Sequence, residues 1–229
     1  MIKALIWDVD GTLSETEETH REAFNRSFAA AGLDWTWDRQ TYRRLLQVTG
    51  GKERMARFAA DNGTAMDAEV IQETHEDKTK SYGKMLETGS ASLRPGVRNV
   101  IGATRQHGIR QAIATTTSPP NIDALILATM GCPADQIFDV IAAGDEVAAK
   151  KPAPDVYLLA LERLGLPAAD CIAIEDSVPG LTAARAAGLR VMVTPSLYTD
   201  GDDFGTADWV LPDLTGPLLD PLAAILARA

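Results

Sequence analysis

Apolar positions along the chain fall into two kinds of run. Six runs are short and nearly continuous: Ala4–Trp7, Gln111–Ala114, Val140–Ala143, Cys171–Ile174, Val191–Val193 and Trp209–Leu211. Such runs predict strands covered on both faces, as in a parallel sheet. Between them, apolar residues recur every three or four positions. That period predicts amphipathic helices over Val97–Gln106, Ile122–Thr129, Val156–Leu164 and Leu181–Ala187. Gly108, Gly131, Gly165 and Gly188 follow these four, where a helix commonly stops. Strand–helix alternation implies an α/β fold with a doubly wound, Rossmann-like parallel sheet. Ligands of such sheets bind at the carboxyl ends of the strands.

One segment breaks the alternation. From Glu15 to Thr88 the period is helical throughout, with helices expected over Glu17–Ala31, Asp38–Leu46, Glu53–Asn62 and Asp67–Leu86. This block lies between the first and second strands and is an insertion. The expected organisation is a catalytic core of residues 1–15 and 89–229 with a helical cap of residues 16–88. A cap inserted at the end of the first strand is placed to act as a lid.

Composition narrows the function. Hydrophobic residues make up 45% of the 229, enough for a sizeable core, and the formal net charge is −10. An acidic chain is a poor partner for nucleic acid or an anionic membrane, which need a basic face. No stretch approaches the roughly 20 apolar residues of a membrane span, and no basic-then-apolar leader opens the chain. Cys132 and Cys171 have no metal-type spacing and read as reduced core cysteines of a cytoplasmic protein. No internal repeat or low-complexity segment is present.

The first strand ends in Asp8-Val9-Asp10-Gly11-Thr12. Alternation along a strand points the two carboxylates the same way, and each disfavours ionisation of the other. A divalent cation relieves that conflict, and hard oxygen ligands suit Mg²⁺. A carboxylate can also attack phosphorus to form an aspartyl-phosphate. The plainer reading is a strand end with a polar turn. Three later segments carry the same ambiguity. Thr115-Thr116-Thr117-Ser118 is either an N-cap cluster or a phosphate cradle at a helix start. Lys150-Lys151-Pro152 is either a solvated charge pair or a rigid loop that aims an ammonium group. Glu175-Asp176-Ser177 is either a helix N-cap or part of an oxygen-ligand set.

In this order, across nearly the whole chain, the four segments resemble the haloacid dehalogenase superfamily of phosphotransferases. Asp8–Thr12 and Ile174–Gly180 are most similar to the subgroup of β-phosphoglucomutase and related sugar-phosphate phosphatases. The resemblance implies that Asp8 is the nucleophile and Asp10 the general acid and base. It implies that Asp8, the Asp10 carbonyl and Asp176 hold Mg²⁺, with Glu175 a ligand or a neighbour of one. Thr115, Thr116 and Lys151 would hold the transferring phosphoryl group.

Substrate choice would lie in the cap. Thr49-Gly50-Gly51-Lys52-Glu53-Arg54 is a glycine loop that opens a helix, and Lys52 or Arg54 would complete an anion site there. His75 and Lys78 share one helix face. Lys78 is similar in place to a mutase lysine that meets a distal phosphate, while Gly-Gly-Lys departs from the mutase loop. An anion site in each domain implies a substrate phosphorylated at both ends. Among such enzymes the chain is most similar to the CbbY-type phosphatases of the Calvin cycle, which act on xylulose 1,5-bisphosphate. Glu17 and Tyr42 are candidate partners for sugar hydroxyls. His20 is similar in place to a mutase histidine and either tunes Asp10, serves the hinge or is structural. His107 reads as a helix-end residue, and Trp35 and Trp37 as cap packing. The expected protein is a monomeric Mg²⁺-dependent phosphatase. The alternatives are a phosphomutase or a non-catalytic phosphometabolite-binding protein.

Overall fold

The structure, a computed structural model, describes residues 2–89 and 91–215. Six parallel strands form one sheet: β1 (Ala4–Trp7), β2 (Arg110–Ala114), β3 (Val140–Ala142), β4 (Cys171–Glu175), β5 (Arg190–Val193) and β6 (Trp209–Val210). Their order is β3-β2-β1-β4-β5-β6. β1 therefore lies in the middle, paired with β2 on one side and β4 on the other. Trp7 is level with Ile113 and Ile174. The chain reverses its direction of travel across the sheet between β1 and β4. The ends of these two strands thus frame the crevice where such sheets bind ligands.

The strands are apolar because both faces are covered. Leu5, Trp7, Ile113, Ile172 and Ile174 fall in one buried cluster, and Ala4, Ile6, Ala112, Ala114 and Ala173 in the other. Period-two alternation sends neighbouring residues to opposite faces. Helices cover both sides: α5 (Val97–Gln106), α6 (Pro119–Met130), α7 (Asp155–Leu164) and α8 (Val178–Ala186). Cys171 is buried in β4, whereas Cys132 is only half-buried in the turn after α6, and both are free thiols.

Four helices fill the long connection after β1: α1 (Glu17–Ala30), α2 (Arg39–Leu45), α3 (Gly51–Asp61) and α4 (Ala68–Glu87). Asp38 and Asp67 cap α2 and α4 by accepting from the amides of Thr41 and Glu69. This segment has a separate buried cluster of Phe24, Phe28, Trp37, Tyr42, Leu45 and Met55. Full burial of side chains this large contributes about 1.5–3 kcal/mol each. Trp37 indeed packs as expected, while Trp35 is half-buried at the cluster's edge. Two adjacent crossings join the segment to the sheet. Ser14 bridges to Leu93, and its hydroxyl donates to the Ser92 carbonyl at 2.6 Å. Three 3₁₀ turns, over Ala134–Gln136, Gly144–Glu146 and Ala168–Asp170, have no counterpart in the apolar pattern. Among the described residues no helix is long and apolar enough to cross a membrane.

Candidate active site

Asp8 follows β1 and Asp176 follows β4, so strand pairing brings them to one end of the sheet. The Asp8 amide still donates to the Ile174 carbonyl at 3.0 Å. Asp8, Glu175 and Asp176 are all buried and present carboxylate oxygens within 4.8 Å of one another. Lys151 is buried among them. Its ammonium donates to Asp8 Oδ1 at 2.7 Å, Glu175 Oε1 at 2.6 Å and the Ala114 carbonyl at 3.0 Å. The Lys151–Pro152 peptide is cis. The Tyr157 hydroxyl also donates to Glu175 Oε1 at 2.6 Å, and the Ser177 hydroxyl and Asp176 amide face Glu175 Oε2. Both Glu175 oxygens are therefore engaged, and its visible role is to hold Lys151.

One ammonium cannot balance three buried carboxylates. Burial, reinforced by Glu175 and Asp10, pushes Asp8 up to about 8 despite the opposing pull of Lys151. Burial, Asp8 and Glu175 raise Asp176 well above the carboxylate range. Such a cluster fits a hard divalent cation, which supplies the missing positive charge. Asp8 and Asp176 are its available ligands, since Glu175 is already occupied. Lys151 itself is raised by its two carboxylate partners against the effect of burial and stays charged.

Asp10 faces the inserted helices. Its Oδ1 accepts from the Thr16 hydroxyl at 2.6 Å and meets His20 Nε2 at 2.7 Å. His20 Nδ1 lies 2.6 Å from Lys78 Nζ. An ammonium has donors only. His20 Nδ1 therefore accepts, Nε2 carries the hydrogen, and the imidazole donates to Asp10. Burial would raise Asp10, but His20, Thr16 and Lys78 outweigh it and hold the carboxyl below its usual range. Lys78 sits against the rings of Phe24 and Tyr82, and burial lowers it to about 8. Its ammonium is thus tied to His20, although it still lines the cleft.

The cleft runs from these carboxylates to the first turn of α3. Its lining includes Glu17, Gly50, Gly51, Arg54, His75, Thr115, Thr116 and Lys151. Thr115–Ser118 lead into the N-terminus of α6, and the buried Ser118 hydroxyl and Asn121 Oδ1 have no partner there. Burial, then the nearby Lys78, Lys52 and Lys150, lowers His75 to about 3, so its ring is neutral. Two expected residues do not line the cleft. The Lys52 ammonium is taken up by Gln72 and by Asp145 at the cleft's edge, 3.9 Å away. Tyr42 is buried behind the wall, between Glu17 and Arg54. Arg54 does line the cleft and supplies a cation at this end, and Arg43 and Lys150 line the cleft as well.

Other residues of the site have weak or no sequence signatures. Arg94 ties loops together by donating to the carbonyls of Gly11, Thr194 (2.7 Å) and Pro195 (2.6 Å), with Glu15 at 3.1 Å. The Tyr198 hydroxyl donates to Glu18, and Lys150 pairs with Glu53 at 3.2 Å. Both contacts join the core to the inserted helices. An apolar pattern carries no information on such long-range pairings.

A parallel sheet whose reversal point gathers a carboxylate cluster and a buried lysine defines a phosphoryl-transfer class of enzyme. The chain belongs to the haloacid dehalogenase-like hydrolases, whose family description matches residues 2–188. It is 58% identical to Protein CbbY of Rhodobacter capsulatus over 214 residues, 93% of this chain and 94% of that one. The crystal structure of CbbY from Rhodobacter sphaeroides in complex with phosphate is 51% identical, with a TM-score of 0.91 over 93% of this chain and 95% of that one. A mutant of the same Rhodobacter sphaeroides protein, in complex with xylulose-(1,5)bisphosphate, is 50% identical, with the same TM-score and coverage.

Proposed function

We propose that this chain is a Mg²⁺-dependent phosphatase that converts xylulose 1,5-bisphosphate to xylulose 5-phosphate. One observation carries the reading. A single cleft has a buried lysine beside the Asp8 carboxylate at one end and an arginine at a helix N-terminus at the other. A substrate with a phosphate at each end matches both. The relative crystallised with xylulose-(1,5)bisphosphate supports the same class.

In this mechanism Asp8 Oδ attacks phosphorus as the ester P–O bond breaks, leaving the phosphoryl group on Asp8. Asp10, in its less populated protonated form, supplies the proton to the departing oxygen. It then takes a proton from the water that cleaves the acyl phosphate. Lys151 balances charge on the phosphoryl oxygens, and Thr115 and Thr116 hold them at the start of α6. Asp8, Asp176 and the Asp10 carbonyl would hold Mg²⁺, which would supply the positive charge that Lys151 alone lacks. Glu175 steers Lys151. Arg54, with the Gly50 and Gly51 backbone and neutral His75, receives the distal phosphate, and Glu17 accepts from a sugar hydroxyl.

In this reading residues 16–88 are a cap on a core of residues 1–15 and 89–229. The enzyme works as a cytoplasmic monomer in the Calvin cycle. The test is phosphate release with Mg²⁺ from xylulose 1,5-bisphosphate and from the two monophosphates. The bisphosphate should give the higher kcat/KM. Equal values would remove the substrate assignment. Return of the phosphoryl group to sugar without net release would favour a mutase.

A further inference from the structure

We propose that the Tyr42 hydroxyl is a positioning group that couples recognition of the sugar hydroxyls to recognition of the distal phosphate. The inference rests on the substrate reading above and adds a residue that no substrate atom reaches.

Tyr42 is fully buried, with its ring packed against Trp37, Phe24 and Tyr198. Its oxygen meets Glu17 Oε2 at 2.8 Å and Arg54 Nη1 at 3.0 Å. The chemistry fixes the direction of both bonds. A guanidinium only donates and a carboxylate only accepts. Arg54 therefore donates to the phenol oxygen, and the phenol hydrogen goes to Glu17. The phenol keeps that hydrogen, because burial and then Glu17 raise Tyr42 well above its ordinary range.

The hydroxyl thus stands between opposite charges that would otherwise pair. Among the described residues no ion pair joins Glu17 to Arg54, and Glu17 Oε1 and Arg54 Nη2 have no protein partner in the cleft they line. Arg54 Nε is spent on the Val48 carbonyl at 3.3 Å, and its guanidinium lies over the Tyr42 ring. One hydroxyl therefore sets the spacing of an acceptor for a polyol and a donor for an anion. Losing it lets Glu17 and Arg54 collapse onto each other, which consumes both.

The test is Tyr42→Phe, which keeps the ring. A hydrogen bond to a charged group is involved on each side, so KM for xylulose 1,5-bisphosphate should rise about tenfold while kcat at saturation stays within about twofold. The preference for bisphosphate over xylulose 1-phosphate should fall by a similar factor. A crystal structure of the variant should show Arg54 in direct contact with Glu17. Unchanged KM and preference would overturn the proposal, as would Glu17 and Arg54 in their wild-type positions. A parallel fall of kcat and thermal stability with the preference intact would also overturn it. If the wild type itself shows no bisphosphate preference, the substrate reading fails. The Glu17–Arg54 contact in the variant structure then still decides the role of Tyr42.

Discussion

Gly11 offers the sharpest structural test of the site. It lies in the loop after β1 with φ +83. A β-carbon there would sit 2.7 Å from Cγ of Asp176 and closer still to Oδ2. Gly11→Ala therefore has two separable effects. Left-handed backbone in an L-residue costs roughly 1–2 kcal/mol of stability. The Asp176 carboxylate must also retreat by roughly 1 Å, a displacement that costs on the order of 100-fold in rate when it misplaces catalytic groups. Gly32→Ala isolates the first effect, because Gly32 has φ +69 and no atom within 4 Å of an added β-carbon. Both variants should be compared by urea midpoint and by kcat/KM at saturating Mg²⁺. They should lose similar stability, and only Gly11→Ala should lose about 100-fold in activity. Equal activities, or a loss in Gly11→Ala no larger than its stability explains, would refute the placement of Asp176 in the chemistry.

Two further outcomes follow from charge placement. His20→Gln removes the imidazole that helps hold Asp10 ionised. Asp10 must carry a proton to serve the departing oxygen, so the basic limb of the pH–kcat/KM profile should move to higher pH, and an unmoved limb would show that His20 does not set Asp10. His75 is lowered from 6.5 to about 3 by burial first and by neighbouring lysines next. Its unfolded form takes up a proton before its folded form does, so this residue destabilises the fold as pH falls from 6.5 towards 3. His75→Gln should lose less stability than wild type over that interval in denaturant titrations. Parallel curves would contradict the assignment.

Most of the scaffold was legible because it is local. Apolar runs marked all six strands to within a residue or so, and α5 spans the expected Val97–Gln106. Asp8, Lys151, Glu175 and Asp176 stood out in the sequence because each is a polar group at the end of a buried run or in a proline-fixed loop. The strand order then brings them together. Orientation was not legible. Lys52 and Arg54 stand two residues apart on α3, about 200° around the helix, so only one can face the cleft. It is Arg54, while Lys52 stands outside the lining and reaches Gln72 and Asp145. Tyr42 was read as a contact for the sugar because composition cannot tell a wall residue from one buried behind it. Arg94 and Tyr198 act from loops distant in sequence. Nothing in the local pattern marks their partners.

The central claim is that Asp8 carries the phosphoryl group of a sugar bisphosphate. The direct measurement is acid quench of the enzyme during turnover of xylulose 1,5-bisphosphate labelled with ³²P at C1, followed by peptide mapping. Label should appear on the peptide that holds Asp8, in the wild type and not in Asp8→Asn. Steady release of labelled phosphate with no label on that peptide at any quench time would contradict the account.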